Sequence, residues 1–407
     1  MRRRVVVTGL GAVTPLGPDA PSTWAAMREG RSAIGPLRTI PTDGLRCAVA
    51  AEIPDFDPAA RIDVRRLGYM DRFTQFAVFA ATEALDAAGL RGALGARAGV
   101  VIGAGTGGAV ATEEGYRRLF VENAGRVHAA TIPRVMVSAP AAVIAMETGA
   151  RGPVFAVSSA CASANHAIGT AMQLIRAGAA DVILAGGTEA PLCFGGIKGW
   201  EALRVLAPDT CRPFSRGRAG LVLAEGAAVA VLEDRDHARA RGAPVLGEIL
   251  GFGMTADAGD LLAPSVEGAL AAVRAALADA GLAPEDIDHV NAHGSGTVLN
   301  DATETKVIRA AFGRHADRLS VSATKAMHGH ALGATGAIEL IAVLGALRDG
   351  VVPPTVNHLG PDPDCDLDVT PNVPRRRALR AAISNAFAFG GLNAVLAIGP
   401  SSFSPGP

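Results

Sequence analysis

Lysine is nearly missing from this 407-residue chain: it stands only at positions 198, 306 and 325, and arginine carries the remaining positive side-chain charge. With 38 basic against 39 acidic residues the formal net charge is -1, so no global field recruits nucleic acid. Large polar aromatics are scarce too. Trp24, Trp200, Tyr69 and Tyr116 are the full set, which argues against a stacking platform for bases or sugars. No run of about 18 apolar residues occurs, so no membrane span is expected. The Arg-rich start leads into only a strand-length apolar stretch, unlike a secretory signal. Five cysteines (47, 161, 193, 211 and 365), an odd number with no C-x-x-C pair, argue against a disulfide framework or a metal site and suggest the cytoplasm.

What is present is apolar and small: 49% of residues are hydrophobic and 49 are glycine. The length suits two domains with large cores. Strand-like runs such as Val5–Val7, Val100–Ile102, Val182–Ala185 and Val229–Leu232 alternate with Ala-rich helical stretches at 73–88, 162–177 and 266–280, an α/β pattern.

The chain also repeats itself. VSSACASANHAIGT at 157–170 and VSATKAMHGHALGA at 321–334 share Val, Ser, Ala, His, Ala and Gly at a constant offset of 164. Upstream, A-A-G-L, a strand and G-A-G-T at 103–106 answer D-A-G-L, a strand and G-S-G-T at 294–297. Three matches in the same order imply a duplicated α/β unit, residues 1–245 and 246–407, each closing on an apolar strand. In this register Cys161 faces Lys325, and His166 faces His330. Two related turns then share one pocket between the halves, a usual place for a ligand.

Cys161 follows an apolar run, Val154–Val157, that reads as a short buried strand, and it precedes a helix. Unpaired N–H groups at that helix start favour thiolate, and Ala and Ser neighbours leave the sulfur open. Read alone, such a thiol is better explained as a buried, inert one, and only its context argues otherwise. His293, in A-H-G-S-G-T, and His330, in T-K-A-M-H-G-H-A-L-G-A-T-G-A, have small neighbours that leave their rings accessible, with Asp301, Glu304 and Glu339 in reach to orient them. His128, His237, His289, His315 and His358 lie among charged or loop residues and read as solvated. The opening T-G-L-G-A-V-T-P lacks the third glycine of a dinucleotide fingerprint and reads as a structural turn. F-A-F-G-G at 387–391 suits a close backbone approach to a ligand or a bulged core strand.

Together, the strand–turn Cys, A-H-G-S-G-T, T-K-x-x-x-G-H-A-L-G-A-T-G-A and F-x-F-G-G-x-N resemble the β-ketoacyl-acyl-carrier-protein synthases, elongating Cys-His-His class. The resemblance runs from V-V-V-T-G-L-G-A-V-T-P-L-G to the Phe-Gly-Gly strand. It implies the thiolase fold, five layers (αβαβα) built from two duplicated halves. It also implies a decarboxylative Claisen condensation of an acyl-thioester on Cys161 with malonyl-acyl-carrier protein. On that footing His293 and His330 bind the malonyl thioester. The N–H groups of Cys161 and Phe389 form the oxyanion hole, and Lys325 with Glu339 orders the site. Ser295 and Thr297 hold the pantetheine arm, while Phe387, Gly390 and Gly391 gate the pocket that Thr106 and Trp200 bound. No cofactor is implied beyond the phosphopantetheine on the carrier.

Departures from the pattern concern substrate more than reaction. Ala388 replaces the central Gly of the gate and should stiffen it. Thr106 stands where a bulky apolar residue is usual, and Trp200 where Phe is usual. A specialised polyketide or polyene synthase follows as an expectation. The implied partners are an acyl carrier protein, docked by Arg65, Arg66 and Arg204, and a second subunit in a homodimer or a heterodimer with a chain-length factor. A non-catalytic partner subunit would lack Cys161. A thiolase would want a second catalytic Cys, and Cys365 lies in an acidic loop that suits the surface.

Overall fold

In the computed structural model, which describes residues 2–403, each half of the chain builds a five-stranded mixed sheet. The first holds β1 (Val5–Val13), β2 (Ala98–Gly103), β3 (Val154–Val157), β4 (Val182–Glu189) and β5 (Gly226–Asp234). The second holds β6 (Gly247–Ala256), β7 (His289–Asn291), β8 (Ser320–Ser322), β9 (Ala382–Ala388) and β10 (Leu392–Pro400). The order β1-β5-β4-β2-β3 is answered by β6-β10-β9-β7-β8, with two antiparallel and then two parallel pairings in each. The duplication read from sequence is thus present in strand order and direction. A short antiparallel contact, Val5 with Ile249 through Val7 with Gly247, joins the two sheets along one edge.

Helices complete the five layers of the thiolase fold. α1 (Arg72–Ala88) and α2 (Ala139–Thr148) cover the outer face of the first sheet. α3 (Ser163–Arg176) lies between the sheets, α4 (Val266–Ala280) and α5 (Val298–Phe312) lie outside the second, and α6 (Thr335–Asp349) runs beside α3 in the middle. Every residue of α6 from Thr335 to Leu347 is buried, as a helix between two sheets requires.

The G-L-G of the opening motif lies inside β1, not in a turn. A Cβ on Gly9 would stand 2.1 Å from Ala84 O and one on Gly11 2.0 Å from Ala80 O, so the Ala-rich face of α1 packs directly on the strand backbone. Gly251 and Gly253 repeat this in β6 against Ala276 and Ala272 of α4. The glycines permit close helix–sheet packing, in duplicate.

Two other expectations change. β3 is not buried: it is the free edge of the first sheet, with Phe155 exposed. Four apolar residues predict a strand but cannot say which side is covered. The repeat register also fails beyond Cys161 and Lys325. Residues 158–162 separate β3 from α3, but residues 323–334 separate β8 from α6, because the second half inserts the turns Lys325–His328 and Leu332–Ala334. His166 therefore lies on a helix and His330 in a loop, and the two are not equivalent.

Candidate active site

The turn after β3 is strained and held from several sides. Ala160 has φ +49, the left-handed region, which costs a non-glycine residue about 1 kcal/mol or more. Ser159 N–H donates to Ser163 Oγ at 2.9 Å, and that hydroxyl donates to Ala160 O at 2.7 Å. Ser159 Oγ also lies 2.8 Å from His166 Nδ1. A 3-10 turn, Ala160–Ala162, then leads into α3 and places Cys161, 6% exposed, on the wall of a cavity of about 330 Å³.

The β9–β10 hairpin supplies a second wall. Its pairing runs without a bulge to Ala388 opposite Leu392, so the bulged-strand alternative does not hold. Gly390 (φ +85) and Gly391 (φ +68) close a tight turn that needs left-handed backbone. The turn brings Phe389 N–H near enough to Cys161 Sγ to favour its thiolate, as the N–H of Cys161 itself does. Two donors converging on one sulfur leave a place for a developing oxyanion beside it.

The second half contributes the imidazoles. His293 follows β7, and its ring centroid lies 5.5 Å from that of His330, edge to face. Phe387 flanks His293 at 6.2 Å. His330 Nδ1 pairs with Thr335 Oγ1 at 3.0 Å, so with the hydroxyl donating, Nε2 carries the ring proton. The three carboxylates expected to orient these rings act on backbone or lysine instead. Glu304 accepts from His293 N–H and Gly294 N–H, both at 2.8 Å, and Asp301 accepts from Phe214 N–H at 2.7 Å and Gly296 N–H at 3.2 Å. Glu339 Oε1 lies 2.6 Å from Lys325 Nζ, which also donates to His293 O. Both members of that pair are buried, at 0% and 1% side-chain exposure.

Burial, reinforced by the Lys325 ammonium, holds both imidazoles well below the usual histidine range, so they are neutral donors at physiological pH. The thiol goes against expectation. Burial pushes Cys161 up to about 12, outweighing Lys325 and the two N–H groups that favour thiolate. Iodoacetamide labelling of Cys161 should therefore climb about tenfold per pH unit from pH 7 to pH 10. A plateau near pH 8 would mean that the helix end prevails over burial. Cys161 is the one thiol that lines this cavity, while the half-buried Cys47 competes for the label from outside it.

Of the residues singled out in the sequence, Cys161, His293, His330, Phe387, Phe389, Ser295, Thr297 and Gly391 meet at the cavity, with Lys325 and Glu339 directly behind it. Ser295 Oγ and Thr297 Oγ1 sit 3.0 Å apart on its wall. Gly390 lies just outside, its N–H on Leu261 O. Trp200, on the helix Phe194–Ala202, reaches the site only by packing on Phe389, with centroids 6.0 Å apart. Thr106 does not line this cavity of the single chain: it is exposed, and its Oγ1 donates to Glu189 Oε1 at 2.6 Å. Arg204 lines the mouth, whereas Arg65 and Arg66 are ion-paired with Asp63 and Glu147. His289 is fully buried in β7, with burial pulling it down to about 4, and Cys365 is buried in the second-half core. Sequence reasoning missed the apolar mouth, Leu203, Leu261, Leu262, Val298 and Leu299, which lies in loops and a helix start without motif character.

Comparison with known proteins bears on the same geometry. Residues 2–238 match the family model "Beta-ketoacyl synthase, N-terminal domain" and residues 246–358 match "Beta-ketoacyl synthase, C-terminal domain". The chain belongs to the β-ketoacyl synthase family. This synthase is 55% identical to nodulation protein E of Rhizobium sp. (strain N33) over 98% of its own length and 99% of the relative. It is 40% identical to 3-oxoacyl-[acyl-carrier-protein] synthase 2 of Staphylococcus aureus (strain N315), covering 97% of each chain. Among solved structures, the ishigamide ketosynthase/chain length factor superposes with TM-score 0.92 at 37% identity, covering 98% of the synthase and 100% of that chain.

Proposed function

We propose that the synthase joins an acyl group held on Cys161 to a two-carbon unit from malonyl-acyl-carrier protein, releasing CO2 and β-ketoacyl-acyl-carrier protein. The observation that carries this reading is the convergence of two N–H donors on a thiol whose cavity also holds two neutral imidazoles. In the first step Sγ attacks the carrier's acyl thioester. The carbonyl oxygen sits against the N–H groups of Cys161 and Phe389, and the carrier thiol leaves with the proton Cys161 gives up. In the second step the bond between the malonyl carboxylate and its α-carbon breaks, CO2 departs, and the electron pair forms an enolate. His293 and His330 donate to the enolate oxygen, which is why they serve as neutral N–H groups and not as bases. The enolate carbon then attacks the acyl carbonyl on Cys161, the C–S bond breaks, and the sulfur leaves as thiolate and takes up one proton from solvent. Ser295 and Thr297 are placed to hold the pantetheine arm, and the chemistry calls for no cofactor beyond that arm.

The same proposal divides the chain at about residue 245 into a nucleophile half, 1–245, and a histidine half, 246–407, a division supported by the repeated strand order. It places the enzyme in the cytoplasm; among the described residues no helix is long and apolar enough to cross a membrane. It also gives the synthase a second subunit. The free edge at β3, with exposed Phe155 and nearby Met146 of α2, is the kind of surface a folded protein covers. A second copy suits it, and so does a chain-length factor of the kind named with the ishigamide ketosynthase.

Substrate preference rests on the hairpin and its partner helix. Trp200 packs on Phe389 and Ala388 stands in the gate, and these two departures support a specialised acyl group over a plain saturated chain. Thr106 no longer contributes to that argument. Acyl transfer from a panel of carrier-linked chains should favour functionalised or unsaturated acyl groups over saturated C12–C16 ones by about tenfold. A preference for the saturated chains would remove the specialised reading and leave the condensation intact.

A further inference from the structure

Glu189 closes β4 with its side chain fully buried, yet all its hydrogen-bond partners are neutral. Oε2 accepts from Gly105 N–H at 2.7 Å and Gly333 N–H at 2.9 Å. Oε1 accepts from Thr106 N–H at 3.0 Å and Thr106 Oγ1 at 2.6 Å. Three of the four donors are backbone groups that can only donate, which is how an ionised carboxylate is satisfied without a counter-ion. A carboxylate left without a cation in a protein interior is expensive, and such groups concentrate at functional sites.

Its partners belong to different halves. Gly105 and Thr106 follow β2 of the first sheet, and Gly333 stands three residues after His330 in the inserted turn that precedes α6. The loops meet backbone to backbone: a Cβ on Gly333 would stand 2.5 Å from Gly105 N, and one on Gly105 2.9 Å from Glu189 Oε2. On the other side of His330, its N–H donates to Val222 O and its carbonyl accepts from Ala224 N–H. Glu189 thus secures the C-terminal side of the His330 turn. Burial raises the Glu189 carboxyl above its usual range, and the N–H groups of Gly105, Thr106 and Gly333 with the Thr106 hydroxyl oppose that rise.

We propose that Glu189 is a positioning residue that pins the His330 turn to the nucleophile's half of the site and so sets the imidazole against the acylated sulfur. The proposal rests on the condensation reading above. It makes the histidine-dependent step depend on the carboxylate more strongly than acylation of Cys161 does.

Glu189→Gln in the full-length chain separates them. Three rates are read beside wild type: acylation of Cys161 from a carrier-bound acyl thioester, CO2 release from malonyl-carrier, and iodoacetamide labelling at pH 8. CO2 release should fall about tenfold or more, since small misplacements of a reacting group are costly. Acylation and labelling should both stay within about threefold, because the turn that carries Cys161 is held by Ser159 and Ser163 and not by Glu189. A parallel fall in all three rates would reveal a purely structural role and overturn the proposal, and so would three unchanged rates. If Glu189→Gln does not fold, Gly333→Ala displaces the same turn while keeping the charge. It should lower CO2 release with labelling unchanged, and undiminished CO2 release would be fatal. Wild-type protein that accepts no acyl group and releases no CO2 would instead overturn the condensation reading, and the proposal with it.

Discussion

Cys161→Ala should abolish condensation, by at least about a thousandfold, while CO2 release from malonyl-carrier continues within about tenfold of wild type. The asymmetry follows from how the site divides between the halves. The proposed nucleophile comes from the turn before α3, and nothing in that turn hydrogen-bonds to the His293 or His330 ring. His293 is placed by Glu304 and Lys325, and His330 by Val222, Ala224 and Thr335, so both keep their positions when the sulfur is removed. The sulfur is buried but borders a cavity, and the change removes a single heavy atom, so stability should change by less than about 1 kcal/mol. His293→Ala gives the contrasting pattern, because the enolate oxygen loses a donor. Condensation and CO2 release should then fall together by about a hundredfold. Measuring 14C-labelled CO2 and β-ketoacyl product in the same reaction separates the cases. Condensation persisting in Cys161→Ala above about a hundredth of wild type would remove the covalent step.

The reaction class was legible in the sequence because its carriers are motifs with fixed chemistry: Cys161 after an apolar run, two Gly-flanked histidines, and the Phe-Gly-Gly hairpin. The fold was legible through its duplication. What escaped shares a physical cause. Hydrogen bonds from backbone N–H groups have no sequence signature, so Glu304 and Asp301 read as partners of imidazole rings although they hold loops, and Glu189 drew no notice. Burial is set by distant segments, so His289 and Cys365 looked solvated although the second-half core encloses them. The same effect reverses the ionisation of Cys161. A helix start favours thiolate locally, yet a thiol 6% exposed pays more in desolvation than nearby dipoles return. The offset of 164 led to His330 for an unsound reason, since the insertion before α6 breaks the register; its place on the cavity wall is what distinguishes it from the buried His328.

Lys325→Ala should be the most destabilising change at the site, and its cost should grow with pH. Lys325 and Glu339 are almost wholly buried, so removing the ammonium strands a carboxylate, a loss of about 3 to 5 kcal/mol. The carboxyl escapes part of that cost by taking up a proton. Burial already pushes Glu339 up to about 7, helped by the nearby Glu304 charge and opposed by Lys325 and an Asn291 hydrogen bond. A carboxyl whose native pKa lies above its unfolded value holds its proton more tightly when folded. Its contribution is therefore full below the unfolded pKa and is lost as pH rises through the native one. Without Lys325 that window extends upward past 7. The variant should lose little at pH 6 and most at pH 8.5, read as the shift in urea midpoint against wild type. Lys325→Ala with Glu339→Gln removes the stranded charge, so most of the stability should return and the difference between the two pH values should vanish. Activity should not return with it. Lys325 also donates to His293 O, and without that contact the loop bearing the imidazole is free to shift, so CO2 release should stay at least about tenfold down in both variants. Equal destabilisation at the two pH values, or recovery of CO2 release in the double variant, would show that the pair neither carries the buried charge balance nor positions His293.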